Sequence, residues 1–112
     1  MISWYIGTMG DDEFLRALES CELPPEEFGH SAHVRAAYLY LRRSDWDEAL
    51  DAVRGSLQRY VTHLGKVDRY DESMTRRYME LIHRRMTERG DAGGWAAFSQ
   101  ANRDLFAIRL NR

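Results

Sequence analysis

Apolar residues along this chain recur at the three-to-four-residue spacing of a single helix face, and the runs are separated by glycine, proline and acidic clusters. Phe14, Leu15, Leu18 and Cys21 form one stripe behind Asp11 or Asp12, either of which can cap a start. A first helix is therefore predicted from about Asp12 to Ser20, with Cys21 as a buried, inert thiol on its apolar face. "LPPEEF", Leu23 to Phe28, predicts a tight connector or a single turn. From Ala32 to Leu41 nearly every position is apolar, the pattern of a helix surrounded by others, so a second helix opening near Ser31 is predicted as the central element. Ser44 as a cap, with Asp47 in the capping-box position, predicts a third helix. Its Trp46, Ala49, Leu50, Val53, Leu57, Tyr60 and Val61 keep the helical period until Gly65 supplies a left-handed stop. Beyond the polar loop "KVDRY", a fourth helix is predicted from about Asp71 to Arg89, with Met74, Tyr78, Leu81, Ile82 and Met86 inward and Gly90 ending it. Trp95, Phe98, Leu105 and Phe106 predict a last helix from about Gly94 to Phe106 whose aromatics close the open side of the bundle.

The fold class implied is all-α: residues 1–112 as a single helical domain, a bundle of about five helices. Its predicted core holds Val34, Tyr38, Leu41, Leu50, Val53, Leu57, Met74, Tyr78 and Ile82. The opening "ISWYIGTM" favours strand but has no partner strand elsewhere, and reads as an extended N-terminal segment packing on the bundle or on a second subunit. A length of 112 residues suits one core, and 44% hydrophobic with 30% charged residues and two prolines is a globular composition. The net charge of −2 creates no field that would draw nucleic acid or anionic lipid. Arg76, Arg77, Arg84 and Arg85 interleave with Glu72, Glu80 and Glu88 as on a solvated, ion-paired face, so no nucleic-acid partner is expected. The N-terminus lacks a basic n-region, no run approaches the roughly 18 apolar residues of a membrane span, and a single cysteine suits a reducing compartment. A cytoplasmic protein with no membrane partner is expected. Arginine supplies every basic residue except Lys66, which suggests a GC-rich bacterial source.

The hairpin "AAYLYLRRSDWDEALDAVRGSLQRY" is similar to one tetratricopeptide unit. Such repeats need at least about three copies to bury a continuous face, so a lone copy implies an antiparallel helix pair and no solenoid. From Phe14 to about Phe106, the succession "EFGHSAHVRAAYLYL", "DEAL", "YDESMT" and "WAAFSQANRDLF" resembles a family of short, uncharacterised bacterial all-helical proteins. They carry an F-x-H-x-x-H-x-R helix, a Tyr-His-Glu-Thr-like element and a late W-x-x-F segment. The resemblance implies the helical fold and directs attention to the two histidines and to the Tyr70-Asp71-Glu72-Ser73 element, without implying an activity. Asp71 stands where the family has a histidine and Ser73 where it has a threonine, so a site that used that histidine would be altered here.

His30 and His33 lie one helical turn apart, so their rings can converge on one point. The positive end of a helix dipole favours neutral imidazole, the form that binds metals or accepts protons. Antiparallel packing can bring Asp71 and Glu72, at the start of the fourth helix, near that point. Two imidazoles and a carboxylate would make the three-ligand set of an open zinc or non-haem iron site, a divalent metal being the candidate cofactor. Arg35 and Tyr70 are the nearest groups able to hold an anionic substrate or orient a carboxylate. His30, His33, Asp71 and Glu72 also suit helix ends that have no site. His63 and His83 read as structural or surface residues, and Met74, Met79 and Met86 as core or contact fillers. Two functions are compatible with these patterns. One is a His/carboxylate metal or acid-base site that binds or acts on a small molecule. The other is a non-catalytic interaction module that forms a homodimer or binds another protein partner, with "SWYI" as an apolar contact.

Overall fold

The computed structural model describes residues 9–90 and 93–106. The expected extended N-terminal segment falls outside these residues, apart from Met9. Five α-helices are described: α1 Asp11–Glu19, α2 His30–Arg43, α3 Trp46–His63, α4 Glu72–Arg89 and α5 Gly94–Ala101. Three 3-10 turns connect or end them, at Pro25–Glu27, Val67–Arg69 and Arg103–Phe106. The described residues contain no strand, and the fold is all-α.

Local chemistry sets the boundaries. α1 is capped by Gly10 rather than by Asp11 or Asp12, because the Glu13 carboxylate reaches back to accept the Gly10 N–H at 3.2 Å. Cys21 lies in the turn after α1, at a left-handed φ of 64°, so it is not the last rung of a helix face. α3 is capped by Asp45, whose Oδ1 accepts the Glu48 N–H at 2.9 Å, where Ser44 had been expected. A carboxylate one residue closer to the apolar run holds the Glu48 amide instead of the hydroxyl. Gly65, at φ 73°, turns the chain out of α3 while the Lys66 N–H bonds back to the Val61 carbonyl at 2.8 Å. At the start of α5, Gly93 holds φ 95°, and a Cβ there would meet the Ala97 Cβ at 2.9 Å. The expected helix from Gly94 to Phe106 breaks at Asn102. The Asn102 amide donates to the Phe98 carbonyl at 2.9 Å and its Oδ1 accepts from Arg85 and Arg89, so the chain leaves α5 for a 3-10 turn.

α2 is the central element, packed against α3, α4, α5 and the C-terminal 3-10 turn, while α1 packs on α3. Eight of its residues are buried, with Tyr38 fully so. Tyr38 stacks on Phe98 with ring centroids 4.6 Å apart, which docks α5 on the bundle. Val34, Leu41, Leu50, Val53 and Ile82 are buried as expected. Leu57, Met74 and Tyr78 are only half-buried, although the helical period assigns them to the core. All three line one cavity.

Candidate functional site

The cavity lies between α2, α3 and α4 and has a volume of about 410 Å³, within the range of small-molecule sites. Its wall is mostly aliphatic, from Val34 and Ala37 of α2, Val53, Leu57 and Val61 of α3, and Met74, Met79 and Ile82 of α4. Polar groups gather where α2 and α4 begin: Gly29, His30 and His33 from one helix start, and Arg69, Tyr70, Asp71 and Thr75 from the other. Four of the six residues singled out in the sequence, His30, His33, Tyr70 and Asp71, thus meet on one surface. Two do not. Arg35 lies two positions beyond His33, on the opposite side of the helix, where its guanidinium holds Asp11 Oδ1 and the Met9 carbonyl at 2.9 Å each. Glu72 lies outside the cavity lining and is bound by Arg54 at 2.6 Å.

Each polar side chain is held by its neighbours. His33 stacks on Phe28 with centroids 4.0 Å apart, and its Nδ1 lies 2.8 Å from the Gly29 carbonyl. A carbonyl only accepts, so Nδ1 carries the proton and the neutral ring keeps its lone pair on Nε2. His33 is exposed at the surface, yet enough protein surrounds it for desolvation to pull its pKa below the ordinary imidazole value. The Gly29 hydrogen bond opposes that shift, and neighbouring His30 adds to it. His30 packs on Tyr78 at 5.2 Å between centroids and donates from Nε2 to the Leu105 carbonyl at 2.8 Å. This bond ties the C-terminal turn to the cavity wall. Tyr70 donates to Glu72 Oε1 at 2.7 Å, and burial followed by that carboxylate pushes its pKa up to about 12. The Arg54 hydrogen bond, with Tyr70 second, holds the Glu72 carboxyl below its ordinary pKa. Asp71 Oδ1 caps α4 by accepting the Met74 N–H at 2.8 Å, and the Thr75 hydroxyl donates to the Asp71 carbonyl at 2.9 Å.

As a metal centre, this arrangement lacks the expected donor set. Among the described residues no group of three or more His, Cys, Asp and Glu side chains is gathered so as to hold a metal ion. One nitrogen of each histidine is bonded to a carbonyl, and Glu72 is paired with Arg54. The arrangement offers a shaped, mostly apolar volume with hydrogen-bonding groups at one end. Sequence reasoning missed the rest of the lining, most of it apolar, such as Val53, Leu57, Val61, Met74, Met79 and Ile82. An apolar position facing a cavity has the same period as one facing a core, so the pattern contained no signal for them.

No helix among the described residues is long and apolar enough to cross a membrane. No family model matches the chain, and no curated protein or solved structure matches it either.

Proposed function

We propose that this chain binds a small molecule in the α2–α3–α4 cavity, with the ligand's apolar body against Val53, Leu57, Met74 and Met79 and its polar end among His30, His33 and Asp71. The observation that carries this reading is the cavity itself. Residues whose spacing belongs to a core are held open around about 410 Å³, and the polar residues of two helix starts converge on that space. Packing slack in a core is normally smaller and lined by apolar atoms alone. His33, neutral and with Nε2 as acceptor, is the group best suited to acid-base chemistry on such a ligand. The likeness to short bacterial helical proteins fits, since it is carried by the same two histidines and the element around Asp71. A reducing cytoplasmic setting suits a chain with a single cysteine. The test is titration of the full chain with 2-naphthol, a fluorescent apolar ring bearing one hydroxyl. Saturable binding in the wild type that weakens at least about tenfold on Leu57→Trp, with the helical circular dichroism unchanged, supports the reading. Absence of saturable binding by 2-naphthol and by its uncharged and charged analogues overturns it.

A further inference from the structure

The chemistry of the cavity's polar end goes further than the existence of a site and, resting on the reading above, specifies the ligand's head group. Three of the side-chain protons there are committed to the protein. His30 Nε2–H is donated to the Leu105 carbonyl, His33 Nδ1–H to the Gly29 carbonyl, and the Tyr70 hydroxyl proton to Glu72. In the neutral rings this leaves lone pairs on His30 Nδ1 and His33 Nε2. The rings are held in place by packing on Tyr78 and Phe28. Asp71 Oδ1 is engaged by the Met74 N–H. The histidine side of the lining therefore offers acceptors, and exposed Arg69 offers donors.

Among the described residues the lining's formal charges are one of each sign, on exposed Arg69 and on Asp71, so an ionic head meets a like charge as well as an opposite one. An ionised head would also lose part of its hydration beside the aliphatic wall, a cost that one partner of matching charge and one of opposing charge do not offset. A neutral donor avoids both penalties, and it satisfies an imidazole lone pair that a purely apolar ligand would leave buried and unpaired.

We propose that the cavity selects apolar molecules carrying a neutral hydroxyl, a phenol or alcohol, whose proton is donated to an imidazole nitrogen of His30 or His33. Binding of three probes of the same ring measures this: 2-naphthol, 2-methylnaphthalene and 2-naphthoate, together with 2-naphthylmethylammonium as the cation. At neutral pH the naphthol keeps its proton while the carboxylic acid has lost its own. The wild type is expected to bind 2-naphthol more tightly than 2-methylnaphthalene by about threefold to tenfold, the worth of one net hydrogen bond. The two ionic probes are expected to bind more weakly than 2-naphthol. The His30→Phe/His33→Phe double variant should lose the naphthol preference while retaining 2-methylnaphthalene binding. Tighter binding of 2-naphthoate or of the ammonium by the wild type overturns the inference whether or not the variant folds, as does a naphthol preference that survives in the double variant. Equal binding of all four probes also overturns the head-group assignment but leaves the binding site standing. Absence of binding by any probe removes the site itself.

Discussion

Ala37 and Ala49 are both buried alanines in helix interiors, 5% and 0% exposed, but only Ala37 lines the cavity. Replacing each by leucine therefore adds the same three carbons to two different environments. At Ala37 the new side chain extends into open space. About 0.8 kcal/mol per buried carbon gives about 2 kcal/mol of stabilisation, from which the rotamer freedom lost by leucine removes about 0.5–1 kcal/mol. A net gain of about 1–1.5 kcal/mol is expected for Ala37→Leu. At Ala49 no such space exists, and overpacking should cost about 1–3 kcal/mol. Helix propensity nearly cancels between the two sites, since Ala→Leu is the same exchange in each. Urea unfolding followed by circular dichroism reads the difference, provided the two variants share one denaturant slope. The midpoints should separate by about 2–4 kcal/mol of stability, with Ala37→Leu at or above the wild type. A loss at Ala37 as large as that at Ala49 would show that the cavity wall is as tightly packed as the core and would refute the reasoning.

Asn102 is fully buried and bonds Phe98, Arg85 and Arg89, so Asn102→Ala should cost about 2–3 kcal/mol in urea unfolding; a change below about 0.5 kcal/mol would mean the network does not hold α5 on α4. Tyr60, 2% exposed, donates to the Leu23 carbonyl at 2.6 Å, so Tyr60→Phe should lose about 1–2 kcal/mol by leaving that acceptor dry. An unchanged unfolding midpoint would contradict this. His33 has a folded pKa below its unfolded value of 6.5. Its unfolded form therefore takes up a proton first, and stability should fall as pH drops below 6.5, down to the folded pKa. The slope should shrink in His33→Phe, and an identical pH profile in that variant would count against a desolvated His33.

The helices were legible because each stripe, stop and apolar run is a local property of the chain. Gly65 and Gly90 end α3 and α4 at positive φ where their spacing predicted it. Boundaries failed where two side chains competed. Ser44 and Asp45 can both cap α3, and only the folded geometry shows that the carboxylate reaches Glu48. Asn102 inside a helical pattern gave no hint that Arg85 and Arg89 would converge on it and break the helix. The site was half legible for the same reason. One-turn spacing placed His30 beside His33, and the start of α4 placed Tyr70 and Asp71. The choice between Asp71 and Glu72 depended on about 100° of helix rotation, and on Arg54 from another helix capturing Glu72. That Leu57, Met74 and Tyr78 surround a cavity depends on the distance between α3 and α4, which no periodicity encodes.

Methyl NMR of the methionines tests the cavity as a binding site most directly, because Met74 and Met79 line it whereas Met9 and Met86 do not. On titrating the full chain with 2-naphthol, ring-current shifts should appear at the Met74 and Met79 methyls and saturate together, while Met9 and Met86 stay nearly fixed. Shifts of equal size at Met86, or none at Met74 and Met79 at saturating probe, would place binding elsewhere or nowhere and contradict the account.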